Sequence, residues 1–283
     1  MENKKYIAFI GDSFTWGQGL YLPSWVERKP EVLRTLPIGV QWIEHQKFVD
    51  ETDLKIKDEL SFTSIVANEL DRICVKKIHN GGDNLDNLNI LKTIDRLNVD
   101  GKQLDFSFKD NDVILIFQLT HFGRNQIFEY MTESEKDSIL EYNMVDSTEA
   151  INKYFKDKVK QYFDYINITL ENITKEYGIE YWYLDWDGEY WEFRPDKFID
   201  IKVGKHKGKY FSPLTHTMAI DVNFEGRVIR DGHLNEEGNK VIAKSILEWL
   251  RDKSRGLGGN PSLFPMSFEN PKIFDSLPLK KTC

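Results

Sequence analysis

The chain has 283 residues, of which 40% are hydrophobic, 30% charged and 13% aromatic, and its formal net charge is -8 at pH 7. A single core in a chain of this length can bury roughly three quarters of the unfolded surface, and the composition excludes the disordered, fibrous and membrane classes. Because the charge balance is acidic and no dense run of Lys and Arg occurs, we expect no nucleic-acid partner.

The N-terminus and the two cysteines indicate the cellular compartment of the protein. The apolar run after the charged start is too short for a signal peptide, and no segment approaches the roughly 20 apolar residues of a membrane helix. Cys74 lies in a predicted buried segment and Cys283 at the C-terminal end, so neither a disulfide framework nor a metal-ligand cluster is indicated. We expect a cytoplasmic protein without a membrane partner; a virion or another particle, and a homo-oligomer, stay open.

Apolar runs alternate with amphipathic segments along the chain. In chain order we predict a strand at 6–10, a helix from Ser61, a strand at 74–78, a helix over 84–97, a strand at 113–119, a helix over 147–177, a strand at 179–184 and a helix over 235–250. This alternation predicts an α/β domain with a mainly parallel sheet in a three-layer α/β/α architecture. In such sheets, ligands bind at the carboxyl ends of the strands.

Three regions do not fit this repeat. Residues 23–60 and 186–227 form two insertions into a domain that spans residues 1–255, and residues 256–283 form a Pro/Gly-rich tail. Both insertions are predicted to emerge near the carboxyl ends of the strands, as lids, as substrate walls or as surface decoration. The tail is expected to lie along the surface of its own domain or of a neighbour.

The first candidate functional residue is Ser13, which follows the first predicted strand in a Gly11-Asp12-Ser13 turn. A serine nucleophile needs an exposed position at a tight turn, an adjacent base and donors for the oxyanion that forms. Glycine allows the backbone to turn sharply at this point. Taken alone, an ordinary turn that caps a helix explains the same residues.

The second candidate is the pair Asp231 and His233, which we place on a loop just ahead of the last helix. A histidine there can reach over the sheet edge while a nearby carboxylate fixes its tautomer. Alone, a turn with a solvated histidine is the simpler interpretation. Together with Ser13, the pair predicts one site, because the first strand and the last helix can meet at one edge of the sheet.

Two segments carry a resemblance to a known family. The segment IAFIGDSFTWGQGL resembles the first block of the SGNH/GDSL hydrolase superfamily, and RDGHLNEEGNKVIAKSI resembles its last block. Between them, SFTSIVANELDRICVKKIHNGGDNLDNL is similar to the helix, strand and second block of that family. The resemblance implies a flavodoxin-like SGNH fold and covers roughly residues 5–250.

The resemblance also implies roles for individual residues. Ser13 would be the nucleophile and one oxyanion donor, Gly82 the second donor, His233 the general base and Asp231 its orienting carboxylate. The third block departs from the family, which has Gly-x-Asn-Asp where this chain has a strand ending in QLTHFGRN. There Thr120 falls at the position of the oxyanion asparagine, with Asn125 as the alternative.

Other side chains near these blocks are candidates for substrate binding. They are Asp12, Trp16, His121 and Arg124. An anionic group of the substrate is one partner for the arginine, and a surface salt bridge is the other. The remaining histidines, His45, His79, His206 and His216, have no carboxylate or cysteine at metal-ligand spacing, so we expect surface or structural roles for them.

These observations predict a serine esterase that removes a small acyl group, such as acetyl, from a carbohydrate or another small hydroxylated compound. Neither a metal nor an organic cofactor is expected. Two alternatives stay open. An acyltransferase would use the same acyl-enzyme with an alcohol acceptor, and a catalytically weak SGNH-like module would bind glycans or serve in an assembly.

Overall fold

The computed structural model describes residues 4–36, 39–40, 45–78, 84–92, 98–99, 102–103, 112–120, 147–185, 190, 193, 195–199, 201 and 218–254. The strands are β1 (Lys5–Gly11), β2 (Gly39–Val40), β3 (Ile73–Ile78), β4 (Asn98–Val99), β5 (Lys102–Gln103), β6 (Asp112–Leu119), β7 (Glu180–Asp185), β8 (Ala219–Phe224) and β9 (Arg227–Leu234). The α-helices are α1 (Ser13–Trp16), α2 (Trp25–Arg28), α3 (Pro30–Thr35), α4 (Glu51–Leu60), α5 (Phe62–Glu69), α6 (Asn84–Lys92), α7 (Ser147–Tyr177) and α8 (Glu236–Ser254). Short 3-10 turns cover Leu22–Ser24, Gln46–Phe48 and Pro195–Lys197.

The four strands predicted from the sequence form one sheet in the order β3-β1-β6-β7, and every neighbouring pair is parallel. Because successive side chains of a strand point to opposite faces, β1 contributes to two cores. Ile7 and Phe9 pack with side chains of α5 and α8, whereas Ala8 and Ile10 pack with side chains of α6 and α7. Helices therefore cover both faces, which confirms the predicted α/β class with a parallel sheet.

A second sheet, which the sequence did not predict, has the order β2-β9-β8. Strands β8 and β9 form an antiparallel hairpin, and β2 pairs in parallel with β9. A third core joins the helices of the first predicted insertion to this hairpin, with Trp25 and Leu33 packed among Ile220, Val222 and Ile229. The described helices of the first predicted insertion thus share a core with strand β8 of the second. Among the described helices, none combines the length and apolarity needed to cross a lipid bilayer.

Candidate active site

The nucleophile candidate, Ser13, stands at the carboxyl end of the central strand β1. The Asp12 carboxylate caps the following helical turn by accepting a hydrogen bond of 3.0 Å from the backbone N–H of Phe14, and Gly17 ends the turn with a φ of 80°. This capping and the left-handed glycine explain why the chain turns sharply directly after the strand. Ser13 is 8% exposed, so the residue is almost entirely buried.

A buried polar network supports this turn from the neighbouring strand β6. Gln118 donates a hydrogen bond of 2.6 Å from Nε2 to the Asp12 carboxylate, and its Oε1 accepts from the backbone N–H of Asp12 and from the Thr15 hydroxyl. A Cβ at Gly11 would collide with both Gln118 and Thr15. Because the Asp12 carboxylate already binds Phe14 and Gln118, its contacts favour a supporting role, and substrate binding by Asp12 stays a prediction.

The histidine and its carboxylate lie in strand β9, so the loop expected for them is wrong. The hairpin pairs Ala219 with Leu234 and the next residue, Ile220, with Asp231. Two residues of β9, Gly232 and His233, are therefore extra in the ladder and form a bulge. Bulges of this kind redirect a side chain. The local geometry explains how a spacing of two residues allows the carboxylate and the imidazole to meet.

The structure brings the three predicted catalytic side chains into one hydrogen-bonded chain. His233 Nε2 lies 2.7 Å from Ser13 Oγ, and His233 Nδ1 contacts Asp231 Oδ1. The same carboxylate oxygen accepts a hydrogen bond of 2.9 Å from the backbone N–H of His233. With the Nδ1 proton directed at the carboxylate, Nε2 is left to accept the serine proton, which is the arrangement that general-base catalysis requires.

Asp231 is fully buried, and its second oxygen, Oδ2, lies 2.6 Å from His45 Nε2. Burial on its own would raise the pKa of this carboxyl, but hydrogen bonds from His233 and His45 outweigh it and hold the pKa below its usual range. The group is therefore an anion at neutral pH. An anion in this position is able to stabilise a positive charge on the adjacent imidazole.

A glycine allows the backbone to approach this carboxylate closely. Gly19 has a φ of 81°, and a Cβ built on it would lie 3.0 Å from Asp231 Cγ and 2.8 Å from the Ile220 side chain. Both the backbone conformation and the missing side chain therefore favour glycine.

His45 is the residue of the site that the sequence analysis missed. A surface or structural role was expected, but the side chain is fully buried and contacts Asp231, which lies 186 residues further along the chain. The sequence around His45 contains no motif that points to Asp231 as its partner. Only the packing of the first insertion against the β8–β9 hairpin brings the two together.

The predicted oxyanion and substrate residues are described only in part. Thr120 directly follows β6, and both its backbone N–H (2.7 Å) and its hydroxyl (3.3 Å) contact Asn84 Oδ1. Those contacts favour a structural role, so its oxyanion role stays a prediction. Trp16 is partly exposed, with Lys57 Nζ 4.5 Å from its ring centroid. Four predicted residues lie outside the described part of the chain, namely Gly82, His121, Arg124 and Asn125.

In the part of the chain that the structure describes, no group of three or more His, Cys, Asp or Glu side chains is arranged to hold a metal ion. The chemistry that the described residues can carry out is nucleophilic attack by Ser13 with proton transfer through His233. Comparisons of the chain with protein-family models, with curated proteins and with solved structures found no match.

Proposed function

We propose that the protein is a serine esterase of the SGNH/GDSL type that hydrolyses a small acyl ester, such as an acetyl ester, of a carbohydrate or another small hydroxylated compound. The observation that carries the proposal is the 2.7 Å contact between Ser13 Oγ and His233 Nε2, with the buried Asp231 on the other ring nitrogen. Ser13 begins the helical turn that follows the first strand and His233 lies in the strand before the last described helix, 220 residues apart in sequence. Any buried hydroxyl needs a hydrogen-bond partner, but an imidazole whose other nitrogen is held by a buried carboxylate is the partner that a serine nucleophile requires.

The reaction proceeds in two steps. His233 Nε2 takes the hydroxyl proton of Ser13 while Oγ attacks the carbonyl carbon of the ester, and the resulting oxyanion is held by backbone N–H groups, for which Ser13 and Gly82 are the predicted donors. The imidazolium then gives its proton to the departing alcohol oxygen, which leaves an acyl group on Oγ. Water adds to this acyl group with His233 again as base, and the carboxylic acid and the free serine are released.

Two features support the assignment to the SGNH/GDSL type. The Gly-Asp-Ser turn follows the first strand, which is central in the parallel sheet, and the Asp-x-His motif directly precedes the last described helix. Both agree with the positions of the first and last blocks in that family. The substrate class is supported by the low exposure of Ser13, which favours a small acyl group, and by the partly exposed ring of Trp16, which offers a surface for a sugar ring.

A serine-directed fluorophosphonate with mass spectrometry, combined with hydrolysis of p-nitrophenyl acetate, tests the proposal. We expect Ser13 alone to be labelled, and both labelling and hydrolysis to be lost in Ser13→Ala and in His233→Ala. Ser245→Ala is the matched control, because this serine donates its hydrogen bond to the Val241 carbonyl within helix α8 and has no part in the chemistry. A folded wild-type protein that is neither labelled nor active would refute the hydrolase assignment. Transfer of the acyl group to added alcohols in preference to water would identify an acyltransferase instead.

A further inference from the structure

The hydrogen-bonded chain of the site does not end at Asp231. His45 Nε2 lies 2.6 Å from Asp231 Oδ2, and His45 Nδ1 lies 2.9 Å from the hydroxyl of Tyr21. Both side chains are fully buried, and the rings of Tyr21 and His45 meet edge to face with their centroids 5.7 Å apart. Five side chains are thus connected in the order Tyr21, His45, Asp231, His233 and Ser13.

The two hydrogen-bond partners of His45, Asp231 and Tyr21, indicate which of its ring nitrogens carries the proton. Asp231 is ionised and can only accept, so His45 must donate to it from Nε2. A neutral imidazole protonated at Nε2 has an acceptor at Nδ1. Burial, reinforced by the charges of Asp231 and Asp53, raises the pKa of Tyr21 well above its usual range, so the phenol keeps its proton and can donate it to Nδ1 of a neutral His45 ring.

We propose that His45 is a positioning residue of the catalytic relay, and that Tyr21 fixes its tautomer. This role rests on the proposed function. By holding Oδ2, His45 fixes the plane of the carboxylate and leaves Oδ1 directed at the Nδ1–H of His233. Because His45 donates as a neutral ring, it satisfies the buried anion without cancelling its charge.

A neutral donor matters because of what the carboxylate has to do. An Arg or Lys beside Asp231 would also satisfy the buried oxygen, but its positive charge would oppose the imidazolium that develops on His233. An empty Oδ2 position would leave a buried acceptor unpaired and the carboxylate free to rotate. The His45–Tyr21 pair avoids both outcomes.

Three variants test the role. His45→Phe keeps a flat buried ring but removes both hydrogen bonds, and we expect kcat for p-nitrophenyl acetate to fall about 10- to 100-fold with KM within about twofold, the cost of losing one hydrogen bond to a charged group. The rate of fluorophosphonate labelling should fall by the same factor. His45→Gln, whose amide N–H can occupy the Nε2 position, should recover most of that loss, and Tyr21→Phe should cost only a few-fold.

Trp25→Phe is the control for damage to the surrounding core. Trp25 packs against both Tyr21 and His45, but its indole N–H donates to Asp53 rather than to Asp231. We expect it to lower the free energy of unfolding without lowering kcat. If His45→Phe is folded with wild-type kcat and labelling rate, or if Trp25→Phe loses kcat equally, the positioning role is wrong although the esterase proposal stands.

Histidine NMR with ¹⁵N labelling gives a readout that does not depend on folding of the variants. We expect His45 in the wild-type protein to be neutral with its proton on Nε2, and a proton on Nδ1 would overturn the role. Failure of the esterase proposal is recognised separately, because wild-type protein would then not label at Ser13 at all. In that case the positioning role falls with it.

Discussion

Two of the buried carboxylates, Asp53 and Asp231, are connected to the Tyr21–Trp25 ring pair, and their partners differ in kind. Asp53 accepts from the indole of Trp25, and Asp231 is linked to Tyr21 through His45. Asp53 accepts from the indole N–H of Trp25 at 2.7 Å, from Arg28 at 2.5 Å and from Lys29 Nζ at 2.6 Å. Asp231 accepts from two histidines and one backbone N–H. The side chains of both carboxylates are fully buried, and both have a pKa below the usual range.

The charge of the partners determines which role each buried carboxylate can have. The partners of Asp53 include two permanent cations, so its charge is balanced in every state of the protein, and its contacts join helices α2 and α4. The side-chain partners of Asp231 are imidazoles, which unlike Arg and Lys carry no permanent charge. Its charge therefore remains available to stabilise a proton that arrives on His233. One carboxylate is suited to stability and the other to catalysis.

The largest expected effect comes from Asp231→Asn. An amide of the same size cannot serve as an anion, and it favours the wrong tautomer of His233, so we expect kcat to fall about 10,000-fold. The matched control is Asp53→Asn, which should leave kcat within about threefold when it is measured below the unfolding transition. Steady-state hydrolysis of p-nitrophenyl acetate by both folded variants makes the measurement. Equal losses in the two variants would remove the distinction between the carboxylates.

The next largest effect is expected on stability, where Asp53 and not Asp231 is the carboxylate that matters most. Asp53→Asn leaves two cations without their buried anion, and we expect the free energy of unfolding to fall by about 2–3 kcal/mol. This is less than for a fully buried pair, because Arg28 and Lys29 remain partly exposed. Asp50→Asn is the control, since Asp50 contacts the same cations from an exposed position. It should lose much less. Urea unfolding followed by tryptophan fluorescence distinguishes the two variants.

The site residues that could be predicted from the sequence are those that belong to short local motifs. Ser13 follows an uninterrupted apolar strand, and Asp231 and His233 are two residues apart, so both motifs can be found within a short window. The strand that carries the pair could not be predicted, because the bulge at Gly232 and His233 breaks the alternation that would indicate it. His45 could not be predicted at all. Its role depends on a core formed between segments about 180 residues apart in sequence, and no local pattern records that contact.

A smaller effect is expected from Gly19→Ala, which disturbs Asp231 without changing its chemistry. The added Cβ would lie 3.0 Å from Asp231 Cγ, in addition to the cost of a φ of 81°. Gly226→Ala is matched to it, because Gly226 has a φ of 74° and no atom within 4 Å of an added Cβ. Both should lose about 1–2 kcal/mol of stability from backbone strain. Only Gly19→Ala should also lower kcat, by about 10-fold, and equal kcat values would show that the carboxylate tolerates the shift.

The smallest effect is expected from acid, which tests whether Asp53 is held as an anion in the folded protein. A carboxyl whose pKa is lower in the folded state contributes stability that is fully present above the unfolded pKa of about 3.9 and is lost as the pH falls through the folded value. The free energy of unfolding should therefore decrease below about pH 4, with a slope of at most about 1.4 kcal/mol per pH unit for each such carboxyl. In Asp53→Asn one of these contributions is absent, so its slope should be shallower than that of the wild-type protein. Parallel slopes in urea unfolding between pH 2 and 5 would mean that the pKa of Asp53 is not lowered by its hydrogen bonds to Trp25, Arg28, Lys29 and the backbone N–H of Asp50. The acid dependence would then arise elsewhere in the chain.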